Sequence, residues 1–156
     1  MKNSKGEVYV LICVFVLIIA MIFSVILTYS SVITFAKVQK TNTEIVFDSF
    51  VANNSIIIYQ NIKQGNNATE GIDTNSFNQA VKDFCSLEES HGRYYSRDAD
   101  GTEKFSMTKP QMGFIENEKL ELYVTFTMSI PVRFAGHTVS VADVPIKIKS
   151  ELTGKI

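Results

Sequence analysis

One stretch of this chain is so apolar that it restricts where the rest can fold. Residues 8–36 form a run of 29 residues without a charged side chain, and 15 of the 20 residues at 8–27 are Val, Leu, Ile or Phe. About 20 apolar residues suffice for a helix to cross a bilayer core, and this run contributes more than about 4 kcal/mol of insertion free energy. A helix in the core of a soluble domain would show a polar face, which is absent before Thr28. The run predicts a membrane-spanning helix.

A removable secretory signal is the alternative interpretation of an apolar N-terminus. Such signals have an apolar region of about 7 to 15 residues followed by a small-residue cleavage site, whereas this run is longer and Thr-Phe-Ala at 34–36 fits that site poorly. The flanking basic residues nearly balance, with Lys2 and Lys5 before the run and Lys37 and Lys40 after it. Because a short head is simpler to leave inside than a folded domain, we expect a cytoplasmic N-terminus and an extracytoplasmic domain.

The part expected outside the membrane is weakly acidic. With Lys2, Lys5 and Glu7 set aside, 13 basic and 15 acidic residues remain, a formal charge of -2. That balance argues against a polybasic grip on lipid or nucleic acid, and no nucleic-acid partner is expected. Cys13 lies within the apolar run, so Cys85 would be a lone external thiol. It is interpreted as a small buried residue on a helix rather than as an intermolecular bridge.

The helical pattern continues beyond the apolar run. Neither Pro nor Gly occurs between Glu7 and Ile62, and one helix from near Glu7 to near Lys63 would be on the order of 85 Å long. Gly65 and the two Asn residues after it predict its end. The β-branched residues at 56–58 would also suit a strand. A stripe on one helical face is interpreted as domain core rather than as a partner groove, and it consists of Phe47, Phe50, Val51, Ile58 and Ile62, with Asn54 interrupting it.

A second, shorter helix is predicted at about residues 76–90. Ser76 and Gln79 have the spacing of a capping box, in which each side chain bonds a free backbone N–H at the helix start. Phe77, Val81 and Phe84 would form its apolar face, and Gly92 is the expected exit.

The remainder of the chain has the pattern of an antiparallel sheet, expected within about residues 93–152. Every even position from 120 to 130 is apolar, and Val132 and Phe134 extend the set, as in a strand with one buried face. After a turn at 135–137, the return strand is expected to bury Val139 and Val141 and then even positions, which predicts a bulge or break at 142–145. Strands near 94–97, 103–106 and 111–115 would complete a sheet of three to five strands, with Asp-Gly in the turn at 98–101. The predicted fold class is α+β, a long N-terminal transmembrane helix continuing into a small domain with an antiparallel sheet.

Residues with catalytic or metal-binding potential are scattered. Asp98, Asp100 and Glu103 resemble the start of a calcium loop, but the later carboxylates are missing, so a plain turn is favoured over a cation site. His91 and His137 stand beside Gly residues without a partner at metal-ligand spacing, as solvated turn histidines do. Neither a Gly-x-Ser-x-Gly motif nor a phosphate-binding Gly-rich loop occurs. We expect no enzyme activity, no cofactor and no small-molecule substrate.

The start of the chain carries a family resemblance. A short basic head ending in Lys5-Gly6, then Glu7 and an apolar helix continuing under a sheet domain, resembles type IV pilin-like precursors and is most similar to TadE-like pseudopilins of tight-adherence pili. The resemblance covers about the first 60 residues well and the β half only in outline. It implies a leader at residues 1–6, a transmembrane helix part at 7–36 and an extracytoplasmic domain at 37–156.

The same resemblance implies processing and partners. A membrane prepilin peptidase would cut after Gly6 and leave Glu7 as the mature N-terminus, and an ATPase-driven machine would extract the helices into a filament. The implied partners are the lipid bilayer, the prepilin peptidase, other pilin subunits and assembly platform proteins. Family members usually have a glutamate at the fifth mature position, whose carboxylate is thought to meet a neighbour's terminal amine. Leu11 stands there in this chain, and Glu7 would have to supply the charge from the first position.

A different interpretation of the same junction stays open. Lys5, Gly6 and Glu7 also fit the polar flank of an ordinary membrane anchor. The chain would then be an uncleaved single-pass membrane protein with an extracellular binding domain.

Overall fold

The structure is a computed structural model that describes residues 4–116, 120–134 and 136–151 of the 156-residue chain. Within these residues a long helix, a short helix and six strands follow one another. In chain order they are α1 (Ser4–Lys63), α2 (Thr74–Phe84), β1 (Glu88–Ser90), β2 (Arg93–Arg97), β3 (Glu103–Thr108), β4 (Gln111–Glu116), β5 (Leu120–Phe134) and β6 (His137–Glu151). A long apolar N-terminal helix followed by an antiparallel sheet confirms the predicted α+β class.

Helix α1 is a single uninterrupted helix of 60 residues. Its predicted end is confirmed, because Gly65 has a φ of +75° and its N–H donates to the carbonyl of Ile62 at 3.0 Å. The N–H of Asn66 donates to the carbonyl of Asn61 at 2.9 Å, which completes a Schellman motif and satisfies carbonyls that the helix end leaves open. The β-branched residues at 56–58 stay helical, and Ile58 is buried in the domain core.

One face of α1, here called the seam, packs against the rest of the protein. The seam begins with half-buried side chains at a four-residue spacing and continues with buried ones on the same side of the helix. In chain order it comprises Ser24, Thr28, Val32, Ala36, Gln39, Thr43, Val46, Phe47, Val51 and Ile58. Residues 8–23, in which every side chain is exposed, are here called the bare segment of α1, and residues 39–62 are called the packed segment. The half-buried part of the seam, from Ser24 to Ala36, lies between the two. The apolar stripe predicted as domain core is confirmed in the packed segment.

The N-cap of helix α2 lies three residues before the predicted cap at Ser76. Asp73 is the N-cap, and its carboxylate accepts from the N–H of Asn75 at 2.9 Å. Ser76 lies inside the helix, where its hydroxyl donates to the carbonyl of Asp73 at 2.7 Å, and Gln79 bonds the Asp83 carboxylate instead of the helix start. The capping box prediction was therefore wrong, since an aspartate one turn earlier takes the role.

The end of α2 also differs from the prediction. Ser86 has a φ of +51° and the N–H of Leu87 donates to the carbonyl of Lys82 at 2.9 Å, so a Schellman motif closes the helix without a glycine. The chain then forms β1 in the place where the helix was expected to continue to about residue 90. Phe77 and Val81 are buried as predicted, but Phe84 is exposed because the helix ends there.

The sheet has strand β5 at its centre. Strand β6 pairs along one edge of β5, and the other edge pairs first with β4 and then with β3. Strands β3 and β4 are separated only by Lys109 and Pro110, and the N–H of Thr127 bonds the Thr108 hydroxyl at 2.9 Å beside this break. Strand β2 pairs with β3 and β1 with β2, so six described strands exceed the predicted three to five.

The predicted bulge exists, but it lies elsewhere. Pairing of β5 with β6 is continuous through residues 142–145, and the register shifts between Val132 and Arg133, opposite Val139. Val139 and Val141, expected in the core, are exposed. Since no shift separates Val141 from Ile146, Val141 lies on the outer face of the sheet, whereas Val139 is the bulged residue.

The core lies between the seam and the inner face of β5. Phe47 meets Phe77 edge to face with ring centroids 5.8 Å apart, which joins α1 to α2. The sheet contributes fully buried side chains to this core, namely Met107, Leu122, Val124 and Met128. Cys85 packs half-buried at the edge of this core, as expected of a small apolar residue, although it caps α2 rather than lying within it.

Candidate functional site

The bare segment of α1 is the most unusual surface of the described chain. An 18-residue window within the helix has a mean hydropathy of 3.4, and none of that window is buried by the protein. By length and composition this helix can cross a membrane. The hydroxyls of Thr28, Ser31 and Thr34 each donate to the carbonyl four residues earlier, at 2.8 to 3.0 Å. Because these hydroxyls are satisfied within the helix, they need no water there.

The residues predicted for processing lie at the very start of α1. Gly6 and Glu7 belong to its first turns, while residues 1–3 and the side chain of Glu7 lie outside the described part of the chain. The first N–H groups of a helix have no hydrogen-bond partner within it, so the first turn of a helix unwinds at little cost in free energy. Leu11 is exposed on the bare segment.

A groove of about 1010 Å³ runs between α1 and the hairpin formed by β5 and β6. Its α1 wall extends from Met21 to Lys40, and its opposite wall comes from residues 132–134 and 139–147. The α1 wall is apolar at Val25, Tyr29 and Val32. Phe134 and Val139, both exposed, form its far wall beside the hairpin turn. The groove thus starts at the level of the bare segment and ends at the folded domain.

Basic residues line this groove. They are Lys37, Lys40, Arg133 and Lys147, and no acidic residue in the described ranges lines it, but the ammonium of Lys147 lies over the Tyr123 ring, 4.4 Å from its centroid. Arg133 is held in place by a 2.6 Å hydrogen bond from Nη2 to the carbonyl of Glu103. Lys37 and Lys40 are exposed, and the structure gives them no ion pair with a described residue. Lys37 and Lys40 therefore place two exposed positive charges at the domain end of an apolar groove.

Sequence reasoning missed this groove. Its α1 wall is part of the apolar run and its flank, and its other wall follows about 90 to 110 positions later in two different strands. No local signal in the sequence could have brought the two walls together.

A second apolar surface lies on α1, diametrically opposite the seam. At about 100° per residue its members fall within roughly 60° of arc on the packed segment and just before it. This outer stripe consists of the exposed residues Val38, Ile45, Ala52, Ile56 and Tyr59. Stripes of this kind on a surface helix fit a partner helix or sheet.

The acidic segment between β2 and β3 forms a turn whose carboxylates bond to neighbouring residues. The Asp98 carboxylate forms an ion pair with Lys104 at 2.7 Å, and Gly101 adopts a φ of +81° in the turn. Asp100 accepts from the N–H of Thr102 at 2.9 Å, and this hydrogen bond lowers the pKa of its carboxyl group. Among the described residues no three His, Cys, Asp or Glu side chains are placed to hold a metal ion. His91 and His137 are both exposed.

Comparison with known proteins identifies no relative. No family model matches the chain, and neither a curated protein nor a solved structure matches it. The resemblance to TadE-like pseudopilins accordingly stays a prediction drawn from residues 5–7 and the helix that follows them.

Proposed function

We propose that this protein is a membrane-anchored, pilin-like minor subunit, serving as a structural component or assembly factor of a Tad-like type IV pilus or related secretion filament. The observation that carries the proposal is the continuity of α1. One helix extends without a break from a fully exposed apolar segment into the core of a sheet domain. A rod of this construction joins a bilayer to an external domain rigidly, as a subunit that is lifted from a membrane into a filament requires.

The bare segment supports the membrane part of this proposal. Its 16 side chains are predominantly apolar, uncharged and all exposed, and such a surface in water would drive aggregation. In lipid the same surface is favourable and the helix satisfies its own backbone groups. We place the N-terminus in the cytoplasm and the sheet domain outside the cell membrane.

The outer stripe supports the subunit part. A simple anchor needs no apolar surface on the solvent side of its packed segment, yet Ile45, Ile56 and Tyr59 are exposed there along one line. Contact with a neighbouring subunit would remove these side chains from water. Glu7 would supply the acid for the helix start of a neighbour, in place of the usual fifth-position glutamate at Leu11.

The alternative function is an uncleaved single-pass membrane protein with an extracellular binding domain. Leu11 favours it, because the residue that family members use for assembly is missing from the exposed bare segment. Under this alternative residues 1–6 stay attached and α1 is only a tether.

Cleavage of the leader separates the two functions. The full chain is expressed beside a prepilin peptidase, extracted from membranes and weighed by intact mass spectrometry. The pilin proposal expects a chain beginning at Glu7, and it expects Gly6→Leu and a catalytically inactive peptidase each to leave residues 1–6 in place. A full-length mass with active peptidase would favour the tether.

Assembly tests the outer stripe. Ile45→Lys and Ile56→Lys should reduce incorporation into filaments or cross-linked oligomers, while the thermal unfolding of the domain stays unchanged. Phe84→Lys is a matched control, since Phe84 is an exposed apolar residue on α2 that lies away from the stripe. Equal loss of assembly in all three variants would contradict a role of the stripe in subunit contact.

A further inference from the structure

The uncharged run of α1 is longer than a bilayer core is thick. Its 29 residues at 8–36 extend about 43 Å as a helix, whereas the core is about 30 Å thick and takes about 20 residues. Side chains with a hydroxyl group divide the run, since they make up two of the 20 residues at 8–27 and five of the nine at 28–36. One of the five is Tyr29, and tyrosine favours the interface between lipid and water. In a helix that crosses a bilayer, the outer boundary of the hydrocarbon is therefore expected near residue 27.

Two contacts relate strand β5 to positions along α1. The side-chain amide of Gln39 donates to the sulfur of Met107 at 3.6 Å, and Met107 pairs with Met128 of β5. One turn earlier on α1, the ring of Phe35 lies 6.4 Å from the ring of Phe105, between centroids. Because β3 and β5 are antiparallel, Phe105 lies beside β5 two positions after Met128. Strand β5 therefore runs toward the bare segment as it approaches its end.

The turn end of the β5–β6 hairpin, at residues 133, 134 and 136–139, is here called the hairpin tip. Strand β5 ends four residues beyond the level of Phe35, which is about 13 Å at 3.3 Å per residue. That distance corresponds to about nine residues of α1, so the hairpin tip lies at the level of about residue 26. The groove agrees with this level, because Phe134 lines it together with Ser24 and Thr28. The hairpin tip is thus level with the expected boundary of the hydrocarbon.

The hairpin tip presents apolar side chains to its surroundings. Phe134 is 51% exposed and Val139 is 63% exposed. Both line the groove, so both face the side on which α1 lies. The sequence from 132 to 142 contains no acidic residue. Exposed apolar side chains without a neighbouring carboxylate are favourable at a lipid interface and unfavourable in water.

We propose that the hairpin tip enters the lipid interface on the domain side of the bilayer and sets the depth of α1. Phe134 and Val139 lie among the headgroups and the upper acyl chains, with residues 8–27 in hydrocarbon and residues 28–36 outside it. The bilayer is favoured over a protein partner, because the level of the hairpin tip brings these side chains to it without any further association. The inference rests on the bilayer crossing in the proposed function, but it is independent of cleavage after Gly6.

Charged groups beside the hairpin tip prevent deeper insertion. Nη2 of Arg133 donates to the carbonyl of Glu103 at 2.6 Å, so the turn just before Glu103 lies next to the hairpin tip. Asp98 and Asp100 in that turn are exposed, and burial of an ionised carboxylate in hydrocarbon is strongly unfavourable. Apolar side chains beside fixed charges hold this end of the domain at the membrane surface.

Tryptophan reporters test the position of the hairpin tip, because the chain contains no tryptophan. Phe134→Trp and Phe84→Trp place the reporter at sites of matched exposure, 51% and 54%. Phe84 adjoins Cys85, which lies beside Gln39 about 18 Å further along α1 than residue 27. In nanodiscs made with brominated acyl chains, the reporter at 134 should be quenched and the reporter at 84 should not. Equal quenching of the two, or none at 134 in a chain embedded in the nanodisc, overturns the inference and leaves the proposed function intact.

Two further reporters test the depth of α1 in the same nanodiscs. Leu17→Trp should be quenched strongly and Ile33→Trp only weakly, because residue 33 would lie about 9 Å outside the hydrocarbon. Equal quenching of these two would place residues 28–36 in lipid and overturn the inference. A chain that does not enter the nanodisc at all overturns the inference and the proposed function together.

A charge at the hairpin tip separates lipid contact from a contact with a second copy. Val139→Asp, added to Phe134→Trp, should abolish quenching at 134, since a carboxylate disfavours the interface. Val141→Asp is the matched control, because Val141 is 55% exposed on the outer face of the same strand, and it should leave the quenching unchanged. Equal loss in both variants overturns the inference. So does a reporter at 134 that is shielded from water in the parent chain but not quenched by bromine, which would indicate a second copy at the hairpin tip.

Discussion

The two segments of α1 share one helix but differ in what surrounds them. Along residues 8–23 every side chain is exposed and none is charged, so the protein itself buries no part of this segment. Along residues 39–62 the seam is buried against the sheet and α2, and polar residues occupy much of the remaining surface. The comparison shows that helix continuity does not require a common environment, because each helix residue bonds only to residues within its own turn or the next.

The difference also predicts two kinds of sensitivity. Substitutions in the packed segment act on the folding of the domain, because its side chains fill a close-packed core. Substitutions in the bare segment act on transfer between water and lipid, because no protein contact is lost there. Four experiments follow, ordered from the largest expected effect to the smallest.

Charge in the bare segment should have the largest effect. Leu17→Arg with Ile18→Arg costs about 6 kcal/mol of insertion free energy, which is comparable to the whole contribution of the run. We expect the double variant to leave the membrane fraction after alkaline extraction. Ile56→Arg, at an exposed position of the packed segment, should stay in that fraction. Retention of the double variant in lipid would contradict a bilayer location of residues 8–23.

Truncation of a phenylalanine side chain should destabilise the domain in the packed segment but not in the bare segment. Phe47 is fully buried, and Phe47→Ala should lower the free energy of unfolding by about 3 to 5 kcal/mol. Phe15 is 62% exposed, and Phe15→Ala should change it by less than about 0.5 kcal/mol. Urea unfolding of the full chain in micelles, followed by circular dichroism, measures both. Similar losses in the two variants would mean that the bare segment is part of the folded core.

The two cysteines report on the two segments separately. Cys13 lies in the bare segment, and Cys85 lies half-buried beside Gln39 of the seam. Burial raises the pKa of the Cys85 thiol and a hydrogen bond with Gln39 partly opposes this, so less of the reactive thiolate is present at neutral pH. With a membrane-impermeant maleimide on intact cells, Cys85 should react slowly and Cys13 not at all until the bilayer is dissolved.

Single replacements assign this labelling. Cys85→Ser should abolish the reaction from outside, and Cys13→Ser should leave it unchanged. Labelling of Cys85 only after the cells are opened would place the domain in the cytoplasm.

The smallest effect concerns an ion pair of the sheet domain, for which the bare segment has no counterpart. A 2.6 Å contact joins Lys109 to Glu89, and it lowers the pKa of the Glu89 carboxyl and raises that of the Lys109 amine. The carboxylate's contribution to stability is present above its unfolded pKa and is lost as the pH falls through the lowered folded value. The amine's contribution is lost as the pH rises through its raised value. NMR titration should show Glu89 returning toward its ordinary pKa in Lys109→Met, and an unchanged titration would contradict the pair.

Features that follow from neighbours in the chain were predictable. The end of α1 at Lys63 followed from Gly65, and the alternation in β5 followed from period-two burial. The start of α2 was placed wrongly because Ser76 and Asp73 both fit a cap, and only packing of the helix selects between them. Its end was placed wrongly because Ser86 adopts a positive φ that sequence patterns assign to glycine.

Features that depend on register or on distant residues were not predictable. The bulge opposite Val139 requires the pairing of β5 with β6 over its full length, which one strand alone does not specify. The groove between α1 and the hairpin of β5 and β6 requires the hairpin to return along α1. No hydrophobic period encodes such a return.

By itself the sequence determined that this chain has a long apolar helix, a packed continuation of that helix and an alternating sheet, because helix and strand periodicities are local properties of the chain. The tertiary structure alone decided how far the hairpin reaches toward the bare segment and which side chains line the groove between them. These depend on strand register and helix packing, in which residues about 100 positions apart in the sequence come together.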